Sequence, residues 1–250
     1  NLKAMPERVY LFDVDGTLTH PLTEVDDIFA EAFLNWKRTK NKIVYLVTGS
    51  DIKKTKQQLF SSFIDQCEGI FTCSGNVFYS KGRQIYENKL ELPDDFIENL
   101  QLYLDIGTQW RKKTGTHIEI RSGMVNFSTV GRDASPHLRE AYYKWDQAAR
   151  EREDIVEYIQ GLYPAFEASI GGQISVDIYP RGYNKGQVVE KIAELHGADV
   201  SMVFVGDRNL PGGNDWPLAQ CLDKRVGSEW FQVLSYEETR ALIEYNELFI

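Results

Sequence analysis

The run Val9-Tyr10-Leu11-Phe12 breaks at once into Asp13-Val14-Asp15-Gly16-Thr17. A short apolar run rich in β-formers, closed by a Gly-containing turn, predicts a buried strand entering a tight loop. An amphipathic helix is expected next, from about Asp26 to Lys40, with Ile28, Phe29, Ala32, Phe33 and Trp36 on its apolar side. A second buried strand, Ile43 to Val47, runs into Thr48-Gly49-Ser50-Asp51, and a further helix extends through Phe63. Strand, helix, strand, helix points to a parallel α/β sheet, whose ligands bind at the carboxyl ends of the strands.

The pattern changes between about Gly82 and Pro180. A helix from Asp94 to Lys113 leads to a hairpin, Ile118 to Arg121 and Val125 to Ser128, turning at Ser122-Gly123. One long helix is expected from Ser135-Pro136 to Leu162, a capping residue followed by Pro at the first helical position. Two strands follow, Phe166 to Ser169 and Ile174 to Tyr179. The chain then resumes its first pattern: helix Gly186 to Leu195, the apolar strand Met202 to Val205, the loop Gly206-Asp207 to Asp215, and a last helix from Tyr236. The expected organisation is a core of residues 1–81 and 182–250 interrupted by an α+β insertion, residues 82–181.

With 28 Lys+Arg against 37 Asp+Glu, the net charge is −9, which argues against nucleic acid or an anionic membrane as partner. No apolar run approaches the ~20 residues that cross a bilayer. Asn1 to Pro6 lacks the basic and apolar segments of a signal peptide, and Met5 is a candidate natural start. Cys67, Cys73 and Cys221 have neither metal-ligand nor redox spacing and suit a reducing compartment. A cytoplasmic protein is expected.

Two carboxylates one residue apart at the end of a buried strand repel each other unless a cation offsets them. Asp13 and Asp15, joined by Asp207 after the later apolar strand, make an oxygen-rich set suited to Mg²⁺. The ordinary alternative is an Asp-rich surface turn. A calcium loop fails, because Gly16 stands at position 4 of the pattern instead of 6 and a strand precedes it.

These residues resemble a known family. Phe12-Asp13-Val14-Asp15-Gly16-Thr17-Leu18 is similar to the first signature of the haloacid dehalogenase (HAD) superfamily, Thr48-Gly49-Ser50 to the second, Lys185 to the third, and Gly206-Asp207 with Asn214-Asp215 to the fourth. Within that superfamily, Glu119-Ile120-Arg121-Ser122-Gly123-Met124, Val130-Gly131-Arg132, Gly171 to Asp177, Pro180 to Lys185 and Pro211 to Asp215 resemble eukaryotic-type phosphomannomutases. The resemblance implies a HAD-like Rossmannoid core with an inserted cap. It implies Asp13 as phosphoryl acceptor, and Mg²⁺ held by Asp13, the main-chain carbonyl of Asp15 and Asp207. Lys185 is implied as a neighbouring positive charge, Asp15 as general acid and base, and Thr48 or Ser50 as a hydrogen-bond donor to the phosphoryl group. The implied partners are hexose phosphates, a sugar 1,6-bisphosphate activator, and a second copy of the chain through the cap.

The insertion carries its own signal. Strand alternation puts His117, Glu119 and Arg121 opposite Ile118 and Ile120, and Gln173, Ser175, Asp177 and Tyr179 opposite Ile174, Val176 and Ile178. This defines a polar sheet face, which Asn126 and Ser128 can join, with Arg132 just beyond the hairpin. Arg139 falls in a helical first turn, where the helix dipole disfavours a cation unless an anion accompanies it. Arginine forks suit phosphate, so Arg121, Arg132 and Arg139 could hold one away from the Mg²⁺ set. In the family, residues matching Arg121, Arg132, Arg139, Ser175 and Asp177 bind the distal phosphate and sugar hydroxyls. A mutase has to hold a phosphate at each end of its bisphosphate intermediate, whereas a phosphatase needs one site. The expected activity is therefore interconversion of mannose 6-phosphate and mannose 1-phosphate. The alternative is a Mg²⁺-dependent sugar phosphatase of the same superfamily, supported by Thr48 and by the loop Thr19 to Thr23, which lacks the family's arginine. A non-catalytic sugar-phosphate sensor is a third class, disfavoured by the intact Asp13, Asp15, Lys185 and Asp207.

Overall fold

The computed structural model describes residues 7–250, so the readings made on Asn1 to Pro6 lie outside the described residues. The chain forms two compact units, one of residues 7–87, 184–211 and 215–250, the other of residues 88–183 with 212–214.

In the first unit, β1 (Arg8–Phe12), α1 (Asp27–Thr39), β2 (Ile43–Val47), α2 (Ile52–Gln58), α3 (Ser61–Gln66), β3 (Gly69–Thr72), β4 (Val77–Ser80) and β5 (Arg83–Glu87) precede the insertion. The second unit holds α4 (Phe96–Leu102), β6 (Ile118–Arg121), β7 (Met124–Phe127), α5 (Pro136–Ala149), α6 (Glu151–Leu162), β8 (Phe166–Gly171) and β9 (Ser175–Pro180). The first unit is completed by α7 (Gln187–His196), β10 (Ser201–Gly206), α8 (Trp216–Asp223), β11 (Glu229–Gln232) and α9 (Tyr236–Tyr245).

The seven-stranded sheet of the first unit has the order β11-β10-β1-β2-β3-β4-β5. Strands β11, β10, β1, β2 and β3 are parallel, and β4 and β5 add an antiparallel edge. Alternate residues of β1 enter opposite cores. Tyr10 and Phe12 pack with Phe29, Phe33 and Trp36 of α1 and Ile243 of α9, while Val9 and Leu11 pack with Val188 and Ile192 of α7 and Leu218 and Leu222 of α8. Helices on both faces exclude water from the sheet, which is why its strands read as continuous apolar runs. The chain leaves β1 toward β2 on one side and returns beside it as β10 on the other, making a switch point at their carboxyl ends.

The four-stranded sheet of the second unit is antiparallel, ordered β6-β7-β9-β8. Val125, Phe127, Val176 and Ile178 pack beneath it on Phe96 and Leu100 of α4 and Ile155 and Ile159 of α6.

Several expected elements differ. Strand β5 hydrogen-bonds to β4, so the first sheet continues to Glu87 rather than stopping at residue 81. The helix expected through Phe63 breaks at Leu59 and Phe60, both extended, into α2 and α3. The helix expected to Lys113 is α4 followed by one wide turn, Tyr103–Gly107; Thr108 is extended, its hydroxyl taken by Glu151 and by the Trp110 amide. The single helix expected from Ser135 is two, because Arg150 is left-handed at φ 57° and restarts the chain as α6. The Asp146 carboxylate stabilises the restart by accepting from the Arg152 amide at 2.9 Å and its guanidinium at 2.7 Å. The three cysteines form no disulfide. Among the described residues no helix is long and apolar enough to cross a membrane.

Candidate active site

The site of the first unit is assembled from the carboxyl ends of β1 and β10. Asp13 follows β1 directly, and its amide donates to the Val205 carbonyl of β10 at 2.9 Å. The loop beyond it turns through Gly16 at φ 78°, where a Cβ would sit 2.4 Å from an Asp207 oxygen. Only glycine allows this approach, which brings the β1 loop against Asp207. Asp215, at the start of α8, accepts from the Arg208 amide at 3.1 Å, so its carboxylate folds back toward the same point. Oxygen atoms of Asp13, Asp207 and Asp215 all lie within 4.8 Å of one another.

Lys185 lies among them, 1% exposed. Its ammonium donates to Asp13 at 2.8 Å and to Asp215 at 2.6 Å. Burial opposes its charge, but the carboxylates of Asp13 and Asp215 outweigh that and hold its pKa above the usual lysine value. Burial, and then the charge of Asp215, raise the Asp13 pKa well above the usual carboxylate value, against the pull of Lys185. Burial, with Asp215 next, raises Asp207 to about 6. Three carboxylates facing the Lys185 ammonium, with the Arg208 guanidinium 3.8 Å from Asp207, still keep an excess of negative charge. Hard oxygen donors in this number, with a charge excess, fit a divalent cation of the Mg²⁺ kind.

The other expected residues of this unit are differently engaged. The Asp15 carboxylate stands outside the three-carboxylate cluster, accepting from the Leu22 amide at 2.9 Å and from Gln58 Nε2 at 2.5 Å. Thr48 and Ser50 are both buried at the end of β2, and the Thr48 hydroxyl accepts from the Ser50 amide at 3.1 Å. Asp13 also receives the Thr17 hydroxyl at 3.3 Å. His20, His117, His137 and His196 take no part in the cluster.

In the second unit the polar face of the sheet is a connected network. Glu119, Asn126 and Asp177 are register partners across β6, β7 and β9. Arg121 Nε donates to one Glu119 oxygen at 2.7 Å, and Arg132 Nε pairs with the other at 2.9 Å. Arg132 Nη1 donates to Asn126 at 2.7 Å and Ser175 at 3.1 Å, and Asn126 donates to Asp177 at 2.7 Å. Burial lowers the Arg132 pKa, and the neighbouring Arg121 charge adds to this. Arg139 bonds the main chain, donating to the Ala134 carbonyl at 2.8 Å and to that of Arg132. Those carbonyls account for a cation in the first turn of α5 without an anion.

Three residues are given no site role by the sequence alone. Asp215 was seen only as part of a motif, and its place in the cluster depends on the loop folding back. Gln58 leaves no trace in sequence, being brought to Asp15 by the end of α2. Glu119 was legible as a polar-face residue by strand alternation, but its double pairing was not.

A family model described as eukaryotic phosphomannomutase matches residues 30–247. A phosphomannomutase of Spinacia oleracea is 34% identical over 233 residues, covering 87% of this chain and 88% of the relative. Phosphomannomutase 1 of Dictyostelium discoideum is 31% identical over 255 residues, covering 99% of each chain. Among solved structures, a trehalose-6-phosphate phosphatase related protein superposes with a TM-score of 0.53 at 19% identity, over 96% of this chain and 97% of the other. A HAD-superfamily phosphatase of Bacteroides thetaiotaomicron gives 0.54 at 17% identity, over 88% and 83%, so the HAD-like fold is shared across different chemistries. The match over most of the chain, together with Asp13, Asp207, Asp215 and Lys185 gathered at one switch point, establishes that this chain belongs to the eukaryotic phosphomannomutase family.

Proposed function

We propose that the protein is a phosphomannomutase, interconverting mannose 6-phosphate and mannose 1-phosphate through an aspartyl-phosphate and a sugar 1,6-bisphosphate. The observation that carries this reading is the buried Lys185 bridging Asp13 and Asp215 beside Asp207, on a chain 31–35% identical to curated phosphomannomutases. Asp13 would attack phosphorus, with Lys185 holding its carboxylate in place by the 2.8 Å hydrogen bond. Mg²⁺, held by Asp13, Asp207 and Asp215 with the Asp15 main-chain carbonyl, would supply charge neutralisation at the phosphoryl oxygens. Asp15 would give a proton to the leaving oxygen and take one from the incoming hydroxyl. Thr48 and Ser50 both offer hydroxyls to the phosphoryl group.

Arg121 and Arg132, steered by Glu119, would bind the second phosphate, with Arg139 adding a charge, and Asn126, Ser175 and Asp177 would meet sugar hydroxyls. The cap, residues 88–183 with 212–214, would thus be the substrate-binding unit. It leaves Leu102, Ile106 and Ile120 exposed, which supports a homodimer through this unit. Three cysteines that form no disulfide support a cytoplasmic location, where the product would feed GDP-mannose synthesis.

The test is product identity. With Mg²⁺, mannose 1-phosphate and a trace of glucose 1,6-bisphosphate, phosphorus NMR should show mannose 6-phosphate growing in. Dominant inorganic phosphate would instead make the protein a phosphatase, and no turnover a sensor.

A further inference from the structure

The amino ends of β1 and β2 frame a cavity of about 370 Å³ whose lining includes Arg8, Lys37, Lys40 and Lys42 and the carboxylates Glu7 and Glu68. Both carboxylates are committed. Glu68 pairs with Lys37 at 2.9 Å and accepts from the Val44 amide at 2.6 Å, and Glu7 pairs with His196 at 2.7 Å. Among the described residues, Arg8, Lys40 and Lys42 pair with no Asp or Glu side chain. The Lys42 ammonium lies 5.2 Å from the centre of the Tyr10 ring and reaches the Tyr10 hydroxyl and the main-chain oxygen of Ile250, the last residue of the sequence, each at 3.4 Å. Arg8 Nε is buried without any hydrogen-bond acceptor.

The helix dipole accounts for lysines at the end of α1, but not for Arg8, which begins a strand. A buried guanidinium N–H without an acceptor is costly, so Arg8 is not held at the cavity wall by hydrogen bonding of its Nε. On a chain of net charge −9, four cations against two carboxylates around one cavity leave a local positive excess. The cavity also lies at the opposite end of β1 from Asp13, about 16 Å away at ~3.3 Å per residue, so it is separate from the carboxylate site.

We infer that this cavity is a second anion site, which takes a small phosphate anion carrying two or more negative charges. Arg8 supplies a directional fork, and Lys40 and Lys42 supply compact charges. A nucleic acid or membrane surface is excluded by the negative charge of the rest of the chain.

The probe is inorganic pyrophosphate, titrated into the full chain at constant ionic strength without Mg²⁺, with backbone amide resonances followed by NMR. Saturable shifts at Arg8, Lys40 and Lys42 are expected, and affinity roughly tenfold or more weaker in an Arg8→Gln, Lys42→Gln double variant, the order of a lost charge-assisted hydrogen bond. Retained turnover of mannose 1-phosphate certifies that variant's fold. If it does not fold, Arg8→Lys keeps the charge and loses the fork, and should still bind more weakly. Shifts confined to the loops of Asp13 and Asp207, a linear response without saturation, or unchanged affinity in either variant overturns the site.

Discussion

Replacing Lys185 with Met removes the one cation that is buried among three carboxylates while nearly preserving volume. In the wild type the ammonium, 1% exposed, bonds Asp13 at 2.8 Å and Asp215 at 2.6 Å. Breaking a buried ion pair by deleting one partner typically costs about 3–5 kcal/mol, because the remaining charges are left uncompensated. For a chain of this size each kcal/mol lowers Tm by about 2–4 °C, so a drop of roughly 6–20 °C is expected without divalent cation. The sign with pH follows from the lysine. Its raised pKa means its stabilising contribution is complete at neutral pH and is lost only above the usual lysine range. The carboxylates behave oppositely in the variant: Asp207, at about 6 in the wild type, loses the lowering influence of Lys185, so it takes up its proton at a higher pH and repulsion relaxes as pH falls. The deficit should therefore be largest near pH 8, smaller at pH 5, and partly recovered by Mg²⁺. Scanning calorimetry of both proteins at the two pH values, with and without Mg²⁺, measures all of this. A variant Tm within about 2 °C of wild type under cation-free conditions at pH 8 would refute the electrostatic account, given the scale of buried-pair losses.

Three further outcomes are expected. Arg132→Ala removes bonds to Glu119, Asn126 and Ser175 and a phosphate ligand; the activating bisphosphate concentration should rise roughly 10- to 150-fold for a lost charged hydrogen bond, with kcat at saturation changed less, as steady-state kinetics would show. Arg150→Gly should stabilise the protein by up to about 1 kcal/mol in denaturant unfolding, because Arg150 sits at φ 57° and its pair with Glu153 is exposed. Because the Asp207 pKa is raised to about 6, its protonated form stabilises the cation-free fold at low pH, and this contribution is lost as pH rises from about 4 through 6. Mg²⁺ requires the ionised form, so its dissociation constant, read by calorimetric titration, should rise up to about tenfold per pH unit below 6.

Much of the fold was readable because local and global signals agree. The apolar β1 run, the Asp13 to Thr17 loop and the alternation in β6 and β9 each encode their surroundings within a few residues. Strands β3, β4 and β5 were not legible: each is only four or five residues long, and what makes them strands is pairing to one another and to β2. The break between α5 and α6 was hidden because Arg150 is no helix breaker by type. It is held left-handed while Asp146 anchors the next turn through Arg152. At the site, Asp13, Asp207 and Lys185 stood out because they directly follow apolar strands or complete a motif. Asp215 joins them only because its loop folds back onto Arg208, and Gln58 meets Asp15 only because α2 ends early at Leu59. The first depends on a loop closing on itself and the second on a contact between segments distant in sequence, and no hydrophobic period records either.

The central claim is that phosphorus passes through Asp13 to a sugar rather than to water. Rapid-quench single turnover with ³²P-labelled glucose 1,6-bisphosphate and unlabelled mannose 1-phosphate measures it directly. The account predicts label on the protein first, then in the mannose bisphosphate, with neither step in Asp13→Asn. Label emerging mainly as inorganic phosphate, or an Asp13→Asn variant that still becomes labelled, would contradict it.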